Sequence, residues 1–361
     1  MSTARSIDRR KVIADSVLAG AVALLVVLTA TTSPARAASS ARANVCVLLP
    51  DTKSSVRYEL FDRPYLAKAF KAANVSASIV NAQADPQLQR SQADDCLAGG
   101  AKVVLLDALD PGSGAGITNA LVAGGAKVID YDRLVPKSKA SFYVSFDNVK
   151  VGALQGKGLV AALKADGRYG RKPVIAQLNG AITDNNAKLF KQGYDSILNP
   201  LFKKGTFKRA VAGDQWTNWD PNQALTIFES MLARNNNKIN GVLAANDGIA
   251  GAVVSALKNN HLKPIPLTGQ DATPTGVQYI IAGWQSGTVY KSVRAEAAAA
   301  ATVAINLLRN KPVKTNGNVS GTRSVLLKPV WVTKKNYPLL FKDGFVKRSQ
   351  VCVGIYRKYC T

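Results

Sequence analysis

Short apolar runs recur along the chain, and almost every one stops at a cluster of Asp, Asn, Arg, Lys or Trp. Val128-Ile129 leads into Asp130-Tyr131-Asp132-Arg133, residues 142–146 into Asp147-Asn148, and residues 174–178 into Asp184-Asn185-Asn186. Residues 210–212 precede Asp214-Gln215-Trp216, 242–245 precede Asn246-Asp247, 266–269 precede Gln270-Asp271, and 288–290 precede Lys291. Runs this short, separated by segments of helical period, read as parallel strands with crossover helices. Strands are expected at 45–49, 76–80, 103–106 and 127–129, with helices near 57–73, 86–98 and 116–123. A second set follows, with strands at 142–146, 174–178, 207–212, 241–245 and 265–268. Its helices are expected at 149–165, 187–198, 221–234 and 248–259. The Ala-rich stretch 294–309 reads as a long helix and 324–327 as another strand. Two such sets make an α/β protein of two doubly wound parallel-sheet lobes joined by a three-strand hinge. In open sheets of this kind, ligands sit beyond the carboxyl ends of the strands. The polar clusters are therefore the candidate site.

The 361 residues suffice for one large or two ordinary domains with real cores, and an apolar content of 47% fits a globular chain. The formal charge of +24 raises nucleic acid as a partner. The basic residues are dispersed, however, with no run of five and no helix-turn-helix or metal finger, so no nucleic-acid partner is expected. The charge reads as a solvated cationic surface, with an anionic cell-surface polymer as a candidate partner.

Residues 1–37 read as a signal peptide. Arg5, Arg9, Arg10 and Lys11 precede the apolar stretch 17–30, and Ala35-Arg36-Ala37 supplies the small residues of a cleavage site. An uncleaved anchor is the alternative. No cysteine ends the apolar stretch, so no lipid-modified amino terminus is expected, and the protein reads as exported, either periplasmic or at the cell surface. Four cysteines in an exported chain favour disulfides. Three connectivities are open for Cys46, Cys96, Cys352 and Cys360. Cys46 opens the first strand and Cys96 closes a helix running back to the same edge, while Cys352 and Cys360 would close a small loop. Their spacing, with His261 as the single histidine, argues against a metal site, and no cofactor is expected. Gly112-Ser113-Gly114-Ala115-Gly116 lacks the lysine of a phosphate-binding loop. No nucleophile motif is present either, so the expectation is a binding protein rather than an enzyme.

Carboxylates, amides, cations and indole rings at strand ends suit an uncharged polyhydroxylated ligand. The carboxylates would accept from hydroxyls, the cations would donate, and the rings would cover an apolar C–H face. The stretches Tyr131-Asp132-Arg133, 142–148 with Lys150-Val151-Gly152, and 184–190 carry a more specific signal. Gly213-Asp214-Gln215-Trp216, 235–239, Gly269-Gln270-Asp271 and Val289-Tyr290-Lys291 add to it. Together and in this order they resemble the periplasmic sugar-binding proteins of ABC importers, in the D-xylose-binding branch, over residues 45–346. The resemblance implies lobe one at 44–146 plus 292–322, lobe two at 147–291 plus 323–345, and an appended basic tail at 346–361. It implies a monosaccharide ligand and a membrane ABC permease as partner, with a sugar-sensing subunit feeding a membrane receptor as the alternative; a monomer is expected. Tyr58 stands where that branch more often has tryptophan, which leaves a related pentose or polyol open.

Carried onto this chain, the resemblance assigns ligand contact to Arg57, Tyr58, Asp132, Arg133, Asp147, Asn246, Asp271 and Lys291. Asn185 and Asn186 are shared between ligand contact and capping of the following helix. Trp216 is the expected stacking platform, with Trp219 as the second choice.

Overall fold

The computed structural model describes residues 43–360; the leader at 1–37 lies outside them. The first sheet is built from β1 (Val45–Leu49), β2 (Ala77–Asn81), β3 (Val103–Leu106), β4 (Lys127–Tyr131) and β5 (Phe142–Phe146). Its strands β2-β1-β3-β4-β5 are all parallel. Every residue of β1, β3 and β5 is buried, as expected for strands covered on both faces. Crossovers run through a π-helical turn (Tyr58–Asp62) leading into α1 (Arg63–Ala72), through α2 (Pro86–Ala98) and through α3 (Pro111–Ala123). Asp85 and Asp110 cap α2 and α3, each followed by proline at the first helical position, where a missing N–H costs nothing.

The chain then leaves this sheet. Helix α4 (Asn148–Ala165), β6 (Val174–Asn179), α5 (Asn185–Lys203), β7 (Lys208–Trp216), α6 (Pro221–Arg234), β8 (Gly241–Ala244) and α7 (Asp247–Asn259) build the second half. Its parallel order is β7-β6-β8, continued by single bridges from Val242 to Leu267 and from Gln270 to Val289. The stretch expected as a strand at 265–268 thus contributes one bridge rather than a full ladder. Helix α8 (Pro274–Ala282), which the apolar pattern did not suggest, packs against α7 and leads into β9 (Thr288–Tyr290). Helices α4 and α5 lie unusually close. A Cβ on Gly152 would overlap the backbone of Phe190, and one on Gly193 the backbone of Val149.

Helix α9 (Val293–Leu308) returns to the first sheet and buries its alanine face there. Strands β10 (Gly317–Val319) and β11 (Thr322–Leu327) follow, and β11 pairs in parallel with β5. This corrects the expected boundary at 322/323. The ladder of β11 belongs to the first half, and the third crossing falls at Lys328-Pro329, before β12 (Val330–Val332) pairs with β9. The two halves have separate apolar cores.

The segment from 346 onward is not a loose appendage. Short helices α10 (Pro338–Lys342) and α11 (Arg348–Val351) and the turn between them carry Leu340, Phe345, Val346 and Val351 into a fourth cluster. That cluster also takes Phe61 and Val293 from the first half and Val277, Ile281 and Val332 from the second. Cys46 is bonded to Cys96, beneath the first sheet, and Cys352 to Cys360.

Candidate functional site

The strand ends of the two halves face one another across a narrow cleft lined by residues of both. The first half contributes Arg57, the residue before the π-helical turn, Tyr58 within it, and Asp132 and Arg133 just beyond β4. A π-helical turn displaces side chains from ordinary helical positions and is common at functional sites. Here it turns the Arg57 guanidinium fully inward, where four short bonds fix it. Nε and Nη2 donate to Asp62 (2.9 and 2.7 Å), Nη2 also donates to Glu296 (2.6 Å), and Nη1 donates to Asp132 (2.9 Å). All four side chains are buried. Charge-assisted bonds of this kind are stronger than neutral ones, and with the charges satisfied internally the arginine is preorganised.

Asp132 is held from every side. Its φ of +56° lies in the left-handed region, which is costly for a residue with a Cβ. Its carbonyl accepts from Ser145 Oγ (2.8 Å), Asn186 Nδ2 (2.9 Å) and Tyr143 Oη (3.0 Å), which fixes that conformation. Burial works against the carboxylate, but Arg57, Lys291 and Arg133 hold it down at about 2. It is therefore a permanent acceptor. Arg133 donates to Ser54 Oγ (2.9 Å) and Tyr58 Oη (3.1 Å), with Asp51, Asp107 and Asp184 at 3.5–3.7 Å. Burial pushes the Tyr58 phenol well up, so it stays a neutral donor.

The second half builds its wall from helix caps and turns. Asp184 caps α5 through the Asn186 N–H (2.8 Å), and its other oxygen accepts from Trp219 Nε1 (2.9 Å). Asn246 caps α7 through Oδ1, accepting from Ile249 N (2.9 Å), while its amide nitrogen reaches across to the Ser54 carbonyl (2.9 Å). Asp271 sits at φ +91°, accepts from Ser55 Oγ (3.1 Å) and lies 3.4 Å from Lys291. Lys291 also lies 3.8 Å from Asp132. Burial alone would lower the Lys291 ammonium, but Asp132 and Asp271 raise it, so it stays charged. Just behind this wall, burial lifts Asp247 to about 7; it accepts from Thr273 N (2.8 Å) and Gln285 Nε2 (2.8 Å) and holds the 269–276 turn.

Two rings complete the lining. Phe190 and Trp219 meet edge to face, with centroids 6.4 Å apart. The indole lies over Gly180, where any Cβ would overlap it. Trp216, the expected platform, is placed elsewhere. A bulge opposite Ile175 and Gln177 lets β7 run on to Trp216, which packs against the core of the second half. Asn218 and Trp219 then take positive φ, turning the chain so that Trp219 faces the cavity.

Asp147 is exposed and caps α4 through Lys150 N (3.0 Å), outside the lining. Asn185 is the first residue of α5 and also lies outside it, whereas Asn186 is on the wall. The other residues expected from the sequence, Arg57, Tyr58, Asp132, Arg133, Asn246, Asp271 and Lys291, are brought together. Ser54, Ser55, Asp184, Phe190 and Gln270 were not foreseen there. The Ser pair carried no signal, and Asp184 was hidden by its capping role.

Several buried polar atoms on the wall have no hydrogen-bond partner among the described residues: Arg133 Nε, Gln270 Oε1 and Asp271 Oδ1. Such atoms are costly unless a ligand or water completes them. A mixed set of fixed donors and acceptors around a small volume, floored by aromatic rings, suits a neutral ligand with several hydroxyls. No group of three His, Cys, Asp or Glu among the described residues could hold a metal ion.

Residues 45–312 match the model of a periplasmic binding protein domain family. The chain belongs to that family. Within it, the chain is 35% identical over 297 residues to the D-xylose-binding periplasmic protein of Escherichia coli, covering 80% of this chain and 87% of that protein. It is 31% identical over 360 residues to a multiple sugar-binding periplasmic protein of Azospirillum brasilense, covering 92% and 97%. Among solved structures, a carbohydrate transporter solute-binding protein of Chloroflexus aurantiacus in complex with D-glucose superposes with a TM-score of 0.79. The two are 29% identical, over 85% of this chain and 98% of that one. Family membership accounts for the two doubly wound halves and their facing strand ends.

Proposed function

We propose that this member of the periplasmic binding protein family is an exported substrate-binding protein that captures a monosaccharide, D-xylose or a related pentose, and delivers it to an ABC importer. The observation that carries the reading is the pair of carboxylates facing the cavity from opposite halves. Asp132 is held ionised by Arg57, and Asp271 lies 3.4 Å from the Lys291 ammonium, with the Trp219 and Phe190 rings beside them. Each carboxylate can accept from adjacent sugar hydroxyls, and Arg133 and Lys291 can donate in return. Charge-assisted hydrogen bonds are worth roughly 1.5–3 kcal/mol each, so four or five reach an affinity near micromolar, about −8.2 kcal/mol.

Capture works by closure. Open and closed arrangements exchange, and sugar favours the closed one because only there do both walls reach it. The direct bonds from Asn246 to the Ser54 carbonyl and from Ser55 to Asp271 are rim contacts of the closed arrangement. The permease then reads the closed rims. Export is supported by the leader pattern at 1–37 and by relatives named as periplasmic proteins.

A thermal-shift screen with D-xylose, other pentoses, D-glucose and polyols tests this, since a ligand specific to the folded state raises the melting temperature by mass action. D-Xylose is expected to give the largest shift. A larger shift with D-glucose would move the ligand to hexoses, and no shift with any sugar would end the reading.

A further inference from the structure

The carboxyl-terminal loop closed by Cys352 and Cys360 joins a fixed base to an exposed apolar tip. Its base is fixed. Val346 and Val351 are buried, Gln278 Nε2 donates to the carbonyls of Gln350 (3.1 Å) and Val351 (3.2 Å), and the Tyr356 ring meets Tyr279 edge to face at 6.5 Å. Its tip is apolar and open: Ile355 is 72% exposed and Val353 40% exposed. Arg357 and Lys358 flank that tip, both exposed. The ammonium groups of Lys358 and Lys334 lie 5.1 and 5.9 Å from the Tyr359 ring.

No carboxylate occurs between residues 344 and 360, against the four cations Lys347, Arg348, Arg357 and Lys358. Asp343, just before, is engaged by Arg294, Tyr290 and Ser292. The wider surface reinforces this sign, because buried carboxylates outnumber buried cations nine to three among the described residues.

The geometry points to this loop as a docking surface for an anionic lipid bilayer. A branched aliphatic tip, two tyrosines and flanking cations on a rigid base match the water–lipid interface. Apolar side chains enter the acyl boundary, aromatic rings settle at headgroup depth, and cations meet anionic headgroups. A soluble polyanion would satisfy the cations but leave Ile355 and Val353 in water. No residue of the loop lines the cavity, so this surface does not depend on which sugar is bound. Docking by the loop would hold a sugar-loaded protein near the membrane.

The test uses residues 40–361, a compact unit that contains all four apolar clusters and both disulfides. It is sedimented with mixed phosphatidylcholine–phosphatidylglycerol vesicles and with phosphatidylcholine alone. Binding is expected to the mixed vesicles and to weaken with salt. Ile355→Ser with Val353→Ser should lower partitioning about tenfold, and Arg357→Gln with Lys358→Gln about 30-fold. Neither pair should shift the melting temperature, since these side chains are exposed. Equal partitioning of the parent and the Ile355/Val353 variant would overturn the proposal in favour of diffuse attraction by the whole surface. Binding to polyphosphate but not to vesicles would overturn it in favour of a soluble polymer, and binding to neither would overturn it outright.

Discussion

The two walls of the cavity reach the same kind of surface by different means. In the first half, Arg57 is wired by four short bonds to Asp62, Glu296 and Asp132, all buried. In the second half, Asp184 and Asn246 are helix caps whose spare atoms face inward, and Asp271 sits on a left-handed turn. The first wall is held by charge and the second by backbone geometry. A charged wall fails as a unit when one member is removed, whereas a capped wall loses one contact at a time.

Asp132→Ala is the sharpest way to break that contrast. It removes an ionised acceptor from the cavity, and sugar affinity measured by calorimetry should fall by about a thousandfold. Arg57→Met leaves Asp62, Asp132 and Glu296 buried without their shared cation. Unfolding in urea should show a loss of about 3–5 kcal/mol. An unchanged midpoint would mean that the first wall is not held by charge.

On the second wall, Trp219→Ala should weaken sugar binding by about 10- to 100-fold, against about twofold or less for Trp216→Ala. The reverse order would return the platform to Trp216.

Two buried carboxylates near the end of β4 set a pH test of the same contrast. Asp132 is held at about 2 by cations, so its folded pKa lies below the unfolded value. Its contribution to stability is present above the unfolded pKa and is lost only as pH falls through about 2. Asp130 has one backbone bond, from Val135 N (2.9 Å), and burial pushes it up to about 8. Its contribution is full below the unfolded pKa and is lost as pH rises through about 8. Asp130→Asn should therefore flatten the decline in melting temperature between pH 4 and pH 8. A decline as steep as in the parent would assign it to other groups. The smallest effect belongs to Asp147→Ala, which removes only the α4 cap: about 1 kcal/mol of stability by urea unfolding, with sugar affinity unchanged.

The same contrast explains what could be read before the fold was known. The adjacent Asp132-Arg133 pair at the end of an apolar run is conspicuous because charge directly after a buried strand needs a reason. Arg57 was found by resemblance, but its partners Asp62 and Glu296 were not, since a lone glutamate in an alanine-rich helix looks like a surface residue. Asp184, Asn185 and Asn186 all suit a helix start, and sequence cannot say which of them also faces a ligand. Trp216 and Trp219 were separated only by the β7 bulge and two positive-φ residues, features with no sequence period. The β11 boundary moved because one strand's partner, not its own pattern, decides which sheet it joins.

The most direct measurement is a crystal structure of residues 40–361 grown with D-xylose. Density for the sugar is expected between the halves, with Asp132 and Asp271 each within hydrogen-bonding distance of its hydroxyls and an aromatic ring against its C–H face. A sugar touching only one half, or bound away from both carboxylates, would contradict capture by closure.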